Sequence, residues 1–192
     1  MIKNVAVYLG SKTGNREIFA QTARGLGGSL AKKGYNIIYG GACVGTMKEL
    51  ADGAIASGGK VTGVFPDKFK GKKESREKGL EIQHNGLTGM ILVKDMGERK
   101  KVMEEQSDCC IILPGSFGTL DELFEYAVHR QLEFHFKPVI ILNLNGYYNP
   151  LRQMVENMKE NGFIREEETS LLTYCDTIED VLEFLENSRL PR

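Results

Sequence analysis

Seven short runs rich in apolar and β-branched residues recur along the chain, at Val5–Leu9, Tyr35–Tyr39, Val61–Phe65, Met90–Val93, Cys109–Leu113, Val139–Leu142 and Leu171–Tyr174. A strand with one face in water alternates apolar and polar residues, whereas runs such as Val-Ile-Ile-Leu at 139–142 do not alternate. Strands of that kind are covered on both faces, which is the condition of a parallel sheet. Between most of them lie longer stretches with helical spacing. Ile18, Ala23, Leu26 and Leu30 mark one, and Leu123, Phe124, Ala127 and Val128 another. Leu151, Met154, Val155 and Met158 mark a third, and Val181, Leu182 and Leu185 the last. The expected fold is α/β, a doubly wound, Rossmann-like, mostly parallel sheet of about seven strands with helices on both faces. Residues 1–192 are expected to form a single Rossmann-like nucleotide-binding domain, long enough to bury roughly 70% of the unfolded surface. Pro66–Gly86 breaks the pattern: it is polar, carries Lys68, Lys70, Lys72, Lys73, Arg76 and Lys78, and reads as a long loop or short helix over the sheet rim.

The bulk properties exclude several classes. A net charge of −1 argues against a nucleic-acid coat or a membrane-surface role. No apolar stretch approaches the ~20 residues of a membrane span. The chain starts directly in a strand, without the layout of a signal peptide, so a cytoplasmic location is expected. Cys43, Cys109, Cys110 and Cys175 form no CxxC pair and have no histidine at ligand spacing. They read as small buried residues in a reducing compartment. Cys109 and Cys110 are adjacent on a strand and must point to opposite faces. His84, His129 and His135 lack metal spacing, and His129 and His135 are expected at the surface or rim. Neither metal nor cofactor is expected.

In an open α/β sheet, ligands sit beyond the carboxyl ends of the strands. After the first run come Gly10-Ser11-Lys12-Thr13-Gly14-Asn15, and after the second Gly40-Gly41-Ala42-Cys43-Val44-Gly45-Thr46. After the fifth comes Pro114-Gly115-Ser116-Phe117-Gly118-Thr119-Leu120-Asp121-Glu122, where a helical pattern opens at Thr119. Strand, glycine-bearing turn and helix N-terminus together aim several backbone N–H groups, and a partial positive charge, at one spot suited to a phosphate. The spacing G-x-G-x-x-G with a later acid is missing after the first run, so a dinucleotide is disfavoured. A Walker loop is also missing.

Glu122 stands directly behind this cradle. Thr119-x-x-Glu122 has the form of a capping box, a role that would not exclude a functional one. Asp121, Glu122 and Glu125 crowd the helix end that should greet an anion, so a carboxylate aimed at the neighbouring sugar is the sharper reading. After the fourth run, Met96-Gly97-Glu98-Arg99-Lys100-Lys101 opens another helical stretch. At 100° per residue Arg99 and Lys100 flank the Met96–Met103 apolar stripe, while Glu98, Lys101 and Glu105 lie opposite. A cation on the packed side of a helix N-terminus opposes the helix dipole, and it makes sense with an anionic or electron-rich partner from a neighbouring turn.

Taken together these residues resemble the LONELY GUY family of cytokinin riboside 5′-monophosphate phosphoribohydrolases, often labelled lysine decarboxylases. The family hallmark PGGxGTxxE corresponds to Pro114–Glu122, and a second, near M-H-E-R-K, to Met96–Lys100. Residues 39–45, Lys137-Pro138 and Asn145-Gly146-Tyr147-Tyr148 match in order and spacing. The resemblance implies hydrolysis of the N-glycosidic bond of a nucleoside 5′-monophosphate, AMP or an N6-substituted relative, to free base and ribose 5-phosphate. It implies that Gly115, Ser116, Phe117, Gly118 and Thr119 hold the phosphate, with Gly10, Ser11, Gly40 and Gly41 on the same edge. Glu122 would face the ribose and Arg99 would complete the catalytic pair, with Lys100 beside it and Glu81 binding ligand. It also implies a homodimer. A non-catalytic carrier or sensor of a phosphorylated cofactor, such as molybdopterin, is the rival use of the same cradle. Ser116 in place of the second glycine, and Gly97 in place of the usual histidine, depart from the pattern. The decarboxylase label finds no clear pair of Schiff-base lysine and pyridinium-directed acid.

Overall fold

The computed structural model describes residues 1–69 and 82–188. Its centre is one seven-stranded sheet built from β1 (Asn4–Tyr8), β2 (Asn36–Tyr39), β3 (Val61–Pro66), β4 (Gly89–Val93), β5 (Cys109–Ile112), β6 (Val139–Leu142) and β7 (Leu172–Cys175). The spatial order is β4-β3-β2-β1-β5-β6-β7, and every neighbouring pair is parallel. All seven expected runs are strands, displaced by a residue or so at their ends. β1 lies centrally, with Val5 opposite Ile37 on one side and Cys109 on the other.

The helices are α1 (Glu17–Lys32), α2 (Gly45–Ala56), α3 (Met96–Gln106), α4 (Phe117–Gln131), α5 (Asn149–Glu160) and α6 (Ile178–Asn187). They divide between the faces as the side-chain alternation of the strands demands. Val5, Val7 and Leu9 pack with α1, α2 and α6 through Leu26, Leu50 and Leu185. Ala6 and Tyr8 pack on the other face with α3 and α4 through Met103, Leu123 and Tyr126. Cys109 joins the first cluster and Cys110 the second, as adjacent strand residues must. α3 is capped by Asp95, whose carboxylate accepts from the Glu98 N–H at 3.0 Å.

Of Pro66–Gly86, Pro66 closes β3 and Asp67–Phe69 forms a 3-10 turn. Residues 70–81, including most of the expected basic loop, lie outside the described residues. The chain re-enters against the turn after β2, where the Cys43 N–H donates to the Ile82 carbonyl and the His84 N–H to that of Gly41. His135 is not a rim residue: its ring stacks on the buried Tyr126 at 4.6 Å.

Helices α1 and α2 cross at backbone contact. A Cβ at Gly27 would lie 2.1 Å from the Leu50 carbonyl oxygen, and one at Gly53 2.1 Å from that of Arg24. Helix propensity alone would favour alanine at Gly27 by about 1 kcal/mol. Backbone facing backbone leaves no flexible atom to yield, so overpacking, at about 1–3 kcal/mol, should dominate. Gly27→Ala is expected to lower the urea midpoint, and a variant more stable than the parent would mean that the helices do not meet this closely.

Candidate functional site

The strand order turns round between β1 and β5, and a crevice opens beyond their carboxyl ends. A cavity of about 70 Å³ occupies it. Its floor is the end of β1 with Tyr8, one wall is Gly40, Met47, Met96 and Arg99, and the other is Ser116, Gly118, Thr119 and Glu122 along the first turns of α4. Ser11 closes the rim and is shared, with Ser116, by a second cavity of about 220 Å³. That cavity runs along residues 10–14 to Phe19, Gly115 and Tyr147.

The turn after β5 leads directly into a helix N-terminus, without a capping box. α4 begins at Phe117, two residues before the expected start, with Ser116 as its cap residue. Ser116 has φ −109° and ψ −157° and makes no side-chain cap bond. Thr119 therefore lies inside the first turn, buried and packed beneath Gly115, where a Cβ would come within 2.1 Å of its hydroxyl oxygen. Glu122 lies a further turn on and faces the cavity instead of returning to a cap. The first N–H groups of α4 remain as the anion-directed end of the helix.

Arg99 is buried, only 3% exposed, on the inner side of α3. Space for its guanidinium exists because residue 40 is glycine: a Cβ there would sit 1.6 Å from Nη2. The group is bracketed by two thioethers, with Nη1 3.6 Å from Met96 Sδ and Nη2 4.0 Å from Met47 Sδ. Met47 comes from α2, and Met96 from the first residue of α3 itself. Lys100 has a different fate. Its ammonium lies 2.9 Å from Asp121 and 2.5 Å from Glu125, so it bolts α3 to α4 and lines neither cavity. Burial works against its charge, but Glu125 and Asp121 hold its pKa above the usual lysine value. Of the three acids that crowd this helix, two serve Lys100 and Glu122 turns inward.

The other expected residues distribute around this centre. Gly10 and Gly115 line the second cavity, and Ser11 and Ser116 line both. Gly41 packs against Phe65 and Gly63 and lines neither. The Phe117 side chain is 90% exposed beside the site. Glu81 lies outside the described residues. Tyr8 and Met47 stand outside the residues singled out from sequence, although Tyr8 ends β1 and the carboxyl-edge rule reaches it; Tyr147 enters there only within the matching run Asn145–Tyr148, with no role given to it. Burial, followed by the Cys110 thiol and the Glu122 carboxylate, raises the Tyr8 phenol well above its ordinary pKa, and Arg99 opposes this in part. The phenol thus feels the acid and the cation together.

Among the described residues no group of three or more His, Cys, Asp or Glu is placed to hold a metal, and no helix is long and apolar enough to cross a membrane.

Comparison with known proteins shows the family and the fold. Residues 47–185 match a family model described as "Possible lysine decarboxylase". The chain is 38% identical over 180 residues to a cytokinin riboside 5′-monophosphate phosphoribohydrolase of Rhodococcoides fascians, spanning 94% of this chain and 87% of the relative. It is 35% identical over 184 residues to a protein of that name from Arabidopsis thaliana, spanning 96% and 77%. The fold is similar to that of a molybdenum cofactor carrier protein from Chlamydomonas reinhardtii, with a TM-score of 0.68, 18% identity and 97% of both chains covered.

Gly118 separates binding from folding. It lies within α4, lines the first cavity, and a Cβ built on it meets no protein atom within 4 Å. Gly118→Ala should therefore leave stability unchanged or raise it by up to about 1 kcal/mol. The added methyl enters the space where a phosphate would meet the helix N-terminus, and affinity for ribose 5-phosphate should fall about tenfold or more through lost charge-assisted N–H contacts. Unchanged affinity by calorimetry would remove the cradle from this end of α4.

Proposed function

The chain belongs to the family of the cytokinin riboside 5′-monophosphate phosphoribohydrolases, and from that premise we propose that it hydrolyses the N-glycosidic bond of nucleoside 5′-monophosphates, AMP or its N6-substituted relatives, to free base and ribose 5-phosphate. The observation that carries the reading is the meeting of Arg99 and Glu122 in the walls of one cavity beside the α4 N-terminus. A carrier needs the cradle but not this pair.

The family description as a lysine decarboxylase would call for pyridoxal phosphate, with a lysine for the Schiff base and an acid for the ring nitrogen. The residues do not fit that group. Among the described residues no lysine lines the first cavity, Lys12 in the second has no acid among its companions, and Lys100 is held by Asp121 and Glu125.

In the proposed reaction the bond between C1′ and the base breaks with its electron pair leaving on the base, and the sugar passes through an oxocarbenium-like state. Glu122 stabilises that developing positive charge and directs a water to C1′. Arg99 supplies positive potential where the departing base gathers electrons, and the base takes up, in net terms, the proton that the water gives up as its oxygen bonds to C1′. The phosphate, held by the backbone of residues 115–119, orients the ribose for this step.

We propose residues 1–192 as a single nucleotide-binding domain; one continuous sheet supports that reading. Four free thiols, three of them buried, fit a reducing cytoplasm. A homodimer is also proposed. The outward side of α4 carries Phe117, Phe124, Val128 and Leu132, at 90, 39, 44 and 57% exposure, continued by Phe134 and Phe136. An apolar face of this kind marks an interaction surface, and its end at Phe117 sets it beside the cradle.

Incubation with AMP or isopentenyladenosine monophosphate should release free base, and adenosine should react far more slowly because it lacks the orienting phosphate. Comparable rates on AMP and adenosine would sink this reading. Glu122→Gln keeps the size and hydrogen-bonding capacity of the side chain but removes its charge, so kcat should fall by roughly 10²-fold or more with AMP still bound. Near-normal turnover in that variant would transfer the acid's role elsewhere. On the α4 face, Val128→Glu should convert the dimer to a monomer in sedimentation equilibrium, and an unaltered mass would exclude this face as the contact.

A further inference from the structure

A peptide at the tip of the cradle has its orientation fixed by a tyrosine from a distant turn. The Tyr147 hydroxyl donates to the Gly115 carbonyl oxygen at 2.6 Å. The Gly115–Ser116 peptide is planar and trans, so its C=O and N–H point in opposite directions. With the carbonyl bonded to Tyr147, which lines the second cavity, the Ser116 N–H is turned away from the tyrosine hydroxyl. The reverse orientation would set a carbonyl oxygen, a partial negative charge, against a bound phosphate.

The turn that carries this half-exposed tyrosine is tied down by its neighbours. Asn143 is 4% exposed and ties its turn together: its amide nitrogen donates to Asn149 Oδ1 at 2.9 Å and to Asp176 Oδ1 at 3.2 Å. Its carbonyl oxygen accepts the Tyr148 N–H at 2.7 Å. Asn145 and Gly146 both take left-handed backbone, with φ of 52° and 73°, and swing the chain so that two tyrosines follow side by side. The buried Tyr148 hydroxyl donates to the Leu113 carbonyl at 2.7 Å, at the end of β5. The Tyr147 ring is braced edge-on by Phe19 at 5.9 Å. Two consecutive hydroxyls thus grip two carbonyls of the same β5–α4 connection.

We propose that Tyr147 is a positioning residue for the phosphate: it fixes the Gly115–Ser116 peptide so that the Ser116 N–H joins the helix N-terminus in binding the 5′-phosphate. This rests on the reading of the substrate as a nucleoside monophosphate. Its effect is confined to the phosphate, and the reaction at C1′ proceeds on Arg99 and Glu122 as before.

Tyr147→Phe is the test, because it keeps the ring on Phe19 and deletes only the hydroxyl. Calorimetric titration with ribose 5-phosphate should show affinity reduced by about tenfold, the cost of releasing one hydrogen bond to a charged group. In kinetics, KM for AMP should rise by a similar factor with kcat within about twofold, and the slow reaction of adenosine should be unchanged. Equal affinity for ribose 5-phosphate in the parent and the variant would overturn the proposal. So would a matching loss on AMP and adenosine, which would mark Tyr147 as a general structural support. A parent protein that binds ribose 5-phosphate but releases no base from AMP would defeat the proposed reaction, while the titration would still decide the role of Tyr147.

Discussion

A parallel sheet whose crossovers share one hand must switch its helices from face to face wherever the strand order turns round. Here the chain moves outward from β1 to β4 with α1 and α2 on one face, then returns past β1 to β5 and on to β7 with α3, α4 and α5 on the other. The order turns round between β1 and β5, which leaves a gap at their carboxyl ends. The turns after β1, β2 and β5 meet over that gap, and the residues given chemical roles gather around it. The turns also interlock: the Thr46 hydroxyl donates to the Gly10 carbonyl at 2.9 Å, joining the start of α2 to the end of β1. A rigid frame for a small cavity follows from connectivity before any side chain is chosen.

Within that frame, charge is sorted by neighbour. Arg99 and Lys100 are consecutive cations, yet one is buried at the cavity and the other spans two helices at the edge. Asp121 and Glu125 compensate Lys100 at its ammonium, which leaves α4 with Glu122 as its inward-facing acid. Arginine suits the buried position because its guanidinium is more weakly hydrated than an ammonium and its planar fork packs flat against a glycine turn. Thioethers are weak acceptors, so Met47 and Met96 can orient the group without neutralising it.

The strands were legible because burial on both sides forces unbroken apolar runs, and seven such runs leave little freedom of fold. The alternation of Cys109 and Cys110 between faces was legible for the same reason. α2 was not singled out, since its buried positions are small and its tight seat on α1 depends on Gly27 and Gly53, a contact between elements. The start of α4 was misread by two residues. Thr119 and Glu122 have the capping-box spacing, but Ser116 already stands in extended backbone and begins the helix earlier, and Glu122 lines the cavity. Tyr8, Met47 and Tyr147 reach the site from three different turns, and no local spacing connects them.

The two departures from the family pattern fall where the backbone can absorb them. Ser116 occupies φ −109°, a region open to any residue, so a second glycine is not needed for this turn and the cradle survives the substitution. Gly97 is exposed on the outer side of α3, where a Cβ would meet only Asp95 Oδ1, at an ordinary 3.4 Å. Neither residue supports the burial of Arg99 or the placement of Glu122. The cavity wall depends instead on Gly40, where a Cβ would collide with the Arg99 guanidinium, while the Tyr147 hydroxyl bonds the Gly115 carbonyl just before α4. Tolerance at 97 and 116 and intolerance at 40 are thus two consequences of one packing arrangement.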